Sequence, residues 1–164
     1  AKEKIPAIMK DVAKLLEKEI ASHLVEDYFQ LLPDRYFLSN SVDIIAEHVR
    51  LVQQLSGHPY IMRVKQNLER QYTEVLVCTL DVHGLFSRIT GVMAANNINI
   101  LGAQINTLKN GIVLDILQVN SIMGDLIIDE ESKKLVKECL DSNWISGGPK
   151  VKQFEKMYEL TLNS

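Results

Sequence analysis

The feature that most constrains the fold is a change of hydrophobic period at residues 81–84. Before this point, residues 72–80 carry apolar side chains on both faces, as the central strand of a sheet does. After it, apolar side chains recur at helical spacing and form a single stripe. The sequence therefore predicts a strand that leads directly into an amphipathic helix. The stripe consists of Leu85, Phe86, Ile89, Val92 and Met93.

Two more strands and a second helix follow, which gives the order β-α-β-β-α. An asparagine pair at residues 96–97 is predicted to end the first helix, since asparagine tolerates the left-handed conformation after a last turn. Strands at 99–108 and 112–120 meet at the Lys-Asn-Gly of residues 109–111, and Asn-Gly between β-rich runs is a strong hairpin signal. Acidic residues at 129–131 favour the start of the last helix. Its apolar stripe is Leu135, Val136, Cys139 and Leu140.

Two helical segments precede this region. Residues 1–32 carry apolar side chains at i, i+3, i+4 and i+7, which predicts one amphipathic block that packs on other apolar surface. Pro33 interrupts this block because proline lacks an amide donor, and residues 35–38 are predicted to be a short aromatic connector. Asn40 or Ser41 is the expected N-cap of a second helix. The first stripe is Ile5, Ile8, Met9, Val12, Leu15, Leu16, Ile20 and Leu24, and the second is Val42, Ile45, Val49, Val52 and Leu55.

The pattern DxxGLFxxI at residues 81–89, followed by NINILGAQIxTxxxG at residues 97–111, resembles the ACT domain family. Together with YFLSNSVDIIAEHVRLVQQL at residues 36–55, it resembles the first of two ACT domains, and the helices before it, in bacterial enzymes that uridylylate and deuridylylate the signalling protein PII. The resemblance implies an α+β fold. This fold is a ferredoxin-like βαββα(β) ACT domain with an antiparallel sheet, preceded by a helical segment.

The alternating residues 60–66 predict an extra strand that pairs with the strand at 72–80. In a ferredoxin-like sheet the fourth strand lies beside the first, so we expect this extra strand to cover that edge. Residues 144–149 are predicted to be a linker and 152–162 a strand. We expect an excised piece of a larger protein. Its expected parts are a helical segment at 1–58, an ACT domain with a lead-in strand at 59–146, and a linker toward a missing second ACT domain at 147–164.

The turn after the first ACT strand is the candidate binding site. The start of the following helix presents unpaired backbone amides at the positive end of a helix dipole, and a carboxylate would bind there. Gly84 lacks a β-carbon and allows close approach, while Asn99 is expected to start the next strand beside this turn and to offer an amide. Alternatively, Asp81 only caps the Gly84 amide, and Gly84 and Asn99 serve only the turn and the strand end. The candidate effector-binding residues are Asp81, His83, Gly84, Leu85, Phe86, Asn99 and Ile100.

The family resemblance implies an amino-acid effector, with glutamine expected, bound between two ACT domains in a homodimer or with the missing second domain. It also implies PII as the partner of the parent enzyme, a nucleotidyltransferase with uridylyl-removing activity whose cofactor would be Mg²⁺. The family's catalytic motifs lie upstream of the matching region, so no active site or cofactor is expected in this piece. His83 replaces the proline that is common in ACT turns, which leaves the loop less rigid.

Composition and spacing exclude several other classes. A net charge of -3 gives no basic surface for nucleic acid, and no apolar run is long enough for a membrane span, so the cytoplasm is expected. The histidines show no metal-ligand spacing, and His23 and His48 are predicted to lie on helix surfaces. Cys78 and Cys139 fall at core positions, which favours buried thiols over a redox pair.

Two alternatives to amino-acid sensing remain open from the sequence. The first is a dimerisation module that needs no ligand and pairs through a sheet face opposite the helices. The second is an ACT domain attached to an enzyme of amino-acid biosynthesis, although the helical segment before residue 60 argues against it. The apolar face predicted for the dimerisation module carries Thr73, Val75, Val77 and Thr79.

Overall fold

The computed structural model describes residues 1–81, 83–126 and 129–146. Its centre is a four-stranded antiparallel sheet with strand order β1-β2-β4-β3. Helices cover both faces of this sheet, which therefore forms the middle layer of three. The strands are β1 (Tyr60–Asn67), β2 (Tyr72–Leu80), β3 (Ile98–Thr107) and β4 (Ile112–Ser121).

The predicted extra strand and the predicted hairpin are both confirmed. β1 pairs with β2 along its whole length, at the edge that the fourth strand of a ferredoxin-like sheet occupies. In the β3–β4 hairpin, Gly111 has φ +87°, a left-handed conformation that favours glycine. The Leu108 amide donates to the Ile112 carbonyl at 2.7 Å and closes the turn. The α+β, ferredoxin-like fold class is therefore confirmed.

Helices α5 (Leu85–Ala95) and α6 (Asp129–Ser146) cover one face of the sheet. The helix end predicted at residues 96–97 is confirmed, with Asn97 at φ +59°. However, Val75 and Val77 lie in the cluster of buried residues beneath these helices, so the prediction that they face away from the helices is wrong. Both faces of β2 carry buried apolar side chains, and alternation alone therefore did not distinguish which face meets α5 and α6. The other members of the cluster include Leu85, Ile89, Met93, Leu117, Val119, Val136, Cys139 and Leu140.

Four helices form the layer on the opposite face. The predicted block at residues 1–32 is two helices, because Ala21 has an extended ψ of 139° and ends the continuity. Leu15, which the single-stripe prediction placed in the core, is 46% exposed. The predicted connector at 35–38 is part of a short helix in which Tyr36 and Phe37 are buried. The helices are α1 (Ile5–Leu16), α2 (Ser22–Gln30), α3 (Asp34–Ser39) and α4 (Val42–Gln54), and a 3₁₀ turn (Lys2–Lys4) precedes α1.

The helical layer and the sheet share one hydrophobic core. Leu76, Cys78 and Leu114 of the sheet belong to the same buried cluster as Val12 of α1 and Val49 of α4. In addition, the Lys109 amide in the β3–β4 turn donates to the Leu31 carbonyl after α2 at 3.1 Å. The sheet face opposite α5 and α6 is therefore largely covered from within the chain. A dimer through the predicted Thr73-to-Thr79 face has no support in this arrangement, because that face meets α5 and α6.

His48 is 2% exposed, so the prediction of a surface position is wrong for this residue, while His23 is exposed as expected. The Nδ1 atom of His48 lies 2.8 Å from the Tyr36 hydroxyl, which in turn lies 2.8 Å from the Tyr28 hydroxyl. Burial lowers the pKa of His48 to about 4, so the imidazole is neutral at neutral pH. The three polar side chains satisfy one another inside an apolar layer. Ser41 is the N-cap of α4, and its Oγ accepts from the Ile44 amide.

The end of the described chain modifies one prediction. α6 continues to Ser146, so the predicted linker at 144–149 begins with helical residues. The predicted strand at 152–162 lies outside the described residues, and the domain boundaries at 58 and 146 stay a prediction. Cys78 and Cys139 are free and buried, and burial raises the pKa of both thiols, to about 12 for Cys78. No helix within the described ranges has the length and apolar character needed to cross a bilayer.

Candidate functional site

A cleft of about 400 Å³ lies where β2 ends and α5 begins. Strand β2 ends beside the cleft. β3 ends at the same end of the sheet, because β2 and β3 both run antiparallel to β4, which lies between them. The turn is fixed to the hairpin by the Asp81 amide, which donates to the Gly111 carbonyl at 2.7 Å. The cleft is lined by Asp81, His83, Gly84, Leu85, Phe86, Ser87, Ile105, Thr107, Val113 and Asp115.

Gly84 is the N-cap of α5 and has φ +76°, a conformation that residues with a β-carbon rarely adopt. The first backbone amides of a helix have no intrahelical acceptor, and here they follow Gly84. As the N-cap residue, Gly84 has no side chain that could accept from them. An ideal β-carbon at Gly84 would meet no atom within 4 Å, so this side of the glycine is open. The first turn of α5 is therefore accessible to an anionic group.

Asp115 contributes a buried carboxylate to the same cleft. This residue is 9% exposed, and its Oδ1 atom has no hydrogen-bond partner. Burial raises the pKa of Asp115 to about 6, the Asn106 backbone amide lowers it, and the nearby Asp81 carboxylate raises it. A buried oxygen without a hydrogen-bond partner lowers the stability of the fold, and a bound ammonium group could donate a hydrogen bond to it.

The structure brings together the five predicted residues of the turn, but places Asn99 and Ile100 elsewhere. The five are Asp81, His83, Gly84, Leu85 and Phe86. β3 begins at the opposite end of the sheet, and only its last residues reach the cleft. At a rise of about 3.3 Å per residue, Asn99 lies roughly 25 Å from Thr107 along this strand. The expectation that β3 starts beside the turn was therefore wrong within one chain. The helix α5 returns the chain to the end of the sheet where β2 starts, so β3 begins there and runs toward the turn.

Sequence reasoning missed the contributions of β3 and β4, namely Ile105, Thr107, Val113 and Asp115. Asp115 was visible as a single acid in the otherwise apolar run of residues 112–117. The register confirms its position, since Asp115 pairs with Val77 and Ile105 on the face under α5. An isolated carboxylate on a core-facing position is the signal that would have identified it.

The cleft combines hydrogen-bond donors and acceptors that can engage the two ends of a small zwitterion. Helix-start amides can donate to a carboxylate, and the carboxylates of Asp81 and Asp115 can accept from an ammonium group. Ile105 and Val113 supply apolar surface between these polar groups. Across the described part of the chain, no group of three or more His, Cys, Asp or Glu side chains is arranged to hold a metal ion.

The chain is similar to known proteins over most of this region. Residues 73–142 match the family model of the ACT domain. A bifunctional uridylyltransferase/uridylyl-removing enzyme of Rhodospirillum rubrum is 37% identical over 108 residues, which are 65% of this chain. The enzyme of the same name from Acinetobacter baylyi is 30% identical over 131 residues, or 78% of this chain.

The similarity extends beyond the ACT match, since 131 aligned residues exceed the range 73–142. The chain spans 12% of the length of the first relative and 15% of the second. The antiparallel sheet with its helices is consistent with the fold of the matched family. Residues 73–142 are an ACT domain, and the chain is similar to a segment of the bifunctional uridylyltransferase/uridylyl-removing enzymes.

Proposed function

We propose that the chain is the amino-acid-sensing segment of a bifunctional uridylyltransferase/uridylyl-removing enzyme, and that its effector is glutamine. The observation that carries this proposal is the juxtaposition of the open first turn of α5 with the unpartnered Oδ1 of Asp115. An α-amino acid carries a carboxylate and an ammonium group on one carbon, so it can engage both features at once. The volume of about 400 Å³ is within the range of small-molecule sites.

A second copy of the chain would complete this site. β3 is an edge strand with exposed apolar side chains, with Leu101 at 50% and Ile105 at 43% exposure. If two β3 strands pair antiparallel about Ala103, Asn99 of one chain lies opposite Thr107 of the other. Thr107 lines the cleft. The homodimer would therefore deliver Asn99 and Ile100 to the turn of the neighbouring chain, which accounts for their distance from it within one chain.

The effector would act by favouring one placement of two ACT domains. In the proposed parent enzyme, uridylyl transfer to PII and its removal take place in other domains, where Mg²⁺ would be the cofactor. The helical layer would transmit this preferred placement of the ACT domains to the catalytic domains. In this role the parent would take part in nitrogen regulation in the cytoplasm. An ACT domain of a biosynthetic enzyme is the less favoured parent, since the similarity to the relatives reaches beyond residues 73–142.

Isothermal titration calorimetry of the chain with L-glutamine at pH 7.5 tests the proposal, with light scattering of the same samples. We expect saturable binding, which Asp115→Asn weakens by about tenfold or more because a charge-assisted hydrogen bond is lost. Asp125→Asn is the matched control, because Asp125 is an exposed acid in the turn after β4 and should leave affinity unchanged. No heat and no thermal shift at millimolar glutamine would overturn the proposal.

Ligand-independent dimerisation is the second candidate, and the exposed Leu101 and Ile105 on the β3 edge favour it. In that case light scattering would detect a dimer without amino acid. Asp81→Ala and Asn99→Ala would leave the dimer affinity unchanged. A dimer that tightens only when glutamine is added would instead support the sensing function.

A further inference from the structure

A second cleft, of about 390 Å³, lies on the sheet face opposite the Gly84 cleft. It is located where the helical layer stops short of the β3 edge, so helices form one wall and the sheet forms the floor. The residues that matter for its chemistry are Asn40, Ile44 and His48 from the helices and Glu74, Gln104 and Gln118 from the sheet. We call it the amide cleft.

Within the described residues, the polar side chains on the floor of the amide cleft form no salt bridge and no side-chain hydrogen bond. Among the described residues, the half-buried Glu74 carboxylate forms no salt bridge. Likewise, no hydrogen bond within the described ranges satisfies the side-chain amides of Gln104 and Gln118. Gly102 provides the room for one of these amides, since a β-carbon there would lie 3.3 Å from Oε1 of Gln118.

Among the described residues, Glu74 is the charged residue of the lining, and the lining includes no cation, although Lys65 lies opposite Glu74 across the β1–β2 pair. Burial raises the pKa of Glu74, Lys65 lowers it and Glu47 raises it, so a second carboxylate lies near enough to act on Glu74. His48 is neutral at neutral pH, and its Nδ1 is engaged by Tyr36. The helix amide of Ile44, which could attract an anion, is already bonded to Ser41 Oγ at 3.4 Å.

We infer that the amide cleft is a binding site for a small primary-ammonium compound that carries a carboxamide and no carboxylate. The ammonium group would pair with Glu74, and the carboxamide would exchange hydrogen bonds with Gln104 and Gln118. Carboxamides match glutamine side chains because each offers both donors and an acceptor. A carboxylate on the ligand would face Glu74 and would be repelled. Ligand in this cleft would contact α4 and the β3 edge together.

The test uses glycinamide as the probe and ¹H–¹⁵N correlation spectra of the full chain as the readout. We expect saturable shifts at Gly102, Gln104 and Gln118, with no shift at Gly84. Glu74→Gln should reduce the affinity for glycinamide at least severalfold, because it removes the paired charge and retains the size of the side chain. Asp115→Asn is the matched control in the other cleft and should leave glycinamide binding unchanged.

The outcomes distinguish this inference from the proposed function. Glycine in place of glycinamide should leave the amide cleft unshifted, whereas glutamine binding at Gly84 should respond to Asp115→Asn and not to Glu74→Gln. The inference is overturned if tens of millimolar glycinamide shifts no resonance of the cleft, if the shifts survive Glu74→Gln, or if they map to Gly84. A Glu74→Gln spectrum with native dispersion establishes that the loss comes from the site and not from unfolding.

Discussion

The Tyr36 hydroxyl lies 2.8 Å from Nδ1 of His48 inside the helical layer, where both side chains are almost fully buried. This hydrogen bond joins α3 to α4, and the Tyr28 hydroxyl extends the chain of contacts to α2. A buried polar network of this kind stabilises a fold only while every member has a partner. Its integrity is therefore directly measurable in the stability of the chain.

Tyr36→Phe should destabilise the fold by about 1–3 kcal/mol, because it leaves the Tyr28 hydroxyl and His48 Nδ1 without their partner. Urea unfolding followed by circular dichroism measures the change. Tyr72→Phe is the matched control, since the Tyr72 hydroxyl only accepts a 3.3 Å hydrogen bond from Asn67 at the end of the β1–β2 hairpin. We expect a loss of less than about 0.5 kcal/mol there. Equal losses in both variants would contradict the network.

Asp115→Asn should stabilise the chain at neutral pH while it weakens glutamine binding. The pKa of Asp115 rises from 3.8 to about 6 on folding, so the folded state binds more protons than the unfolded state between these values. The free energy of unfolding therefore falls as the pH rises from about 4 to 6. Above pH 6 the full destabilisation by the buried Asp115 carboxylate is present. We expect a gain of about 1–2 kcal/mol at pH 7.5 and little gain at pH 3.5. Urea midpoints at the two pH values measure it, and an equal gain at both would refute the buried charge.

His48 should make the opposite contribution to the pH dependence. Its pKa falls from 6.5 to about 4 on folding, so the unfolded state binds more protons in this window and stability is lost as the pH falls through it. The Asp115→Asn background removes the opposing slope. In that variant we expect a loss of up to about 3 kcal/mol between pH 7 and pH 4, measured by urea unfolding at each pH. A flat profile there would show that His48 is accessible to protons in the folded state.

Gly84→Ala and Gly91→Ala should have opposite effects on the same helix. Gly84 has φ +76°, so a β-carbon strains the backbone even though the space beside it is open, and we expect a loss of about 1 kcal/mol or more. Gly91 is an exposed position inside α5 with equally open space, where alanine should add up to about 1 kcal/mol. Thermal unfolding measures both. A stabilising Gly84→Ala would mean that the turn does not hold the left-handed conformation.

Leu101→Lys should convert a dimer of the chain to a monomer, because a lysine on the β3 edge opposes strand addition there. Leu101 is 50% exposed, so the fold itself should tolerate the change. Leu68→Lys, at an exposed position in the β1–β2 turn, is the control that should leave the mass in solution unchanged. Light scattering provides the readout. A Leu101→Lys chain that remains dimeric would place the interface elsewhere.

Local signals predicted most of the ACT region, while tertiary choices escaped them. The turn before Leu85, the Asn97 helix end and the Asn110-Gly111 hairpin depend on backbone preferences that neighbouring residues determine. By contrast, which face of β2 meets which helices depends on the packing of the entire chain, since Val77 and Cys78 are both suited to burial.

The candidate site was predicted in part for the same reason. The turn residues are contiguous in sequence and were identified together, whereas Asp115 reaches them only through the register of β2 with β4. Asn99 was misplaced because the direction of β3 relative to the turn was assigned incorrectly. The break at Ala21 escaped detection because the apolar repeat continues across it and only the backbone departs from the helix.

The shared cluster of the helical layer and the sheet determines how this segment can respond mechanically. Swinging residues 1–54 away from Leu76 and Leu114 would expose apolar surface to water, which is energetically costly. The helices and the sheet should therefore move as one rigid body, without a hinge between them. Expression of the sheet with α5 and α6 alone would expose the apolar face that α1 to α4 cover and would favour aggregation, so shorter versions of the chain should retain α1 to α4.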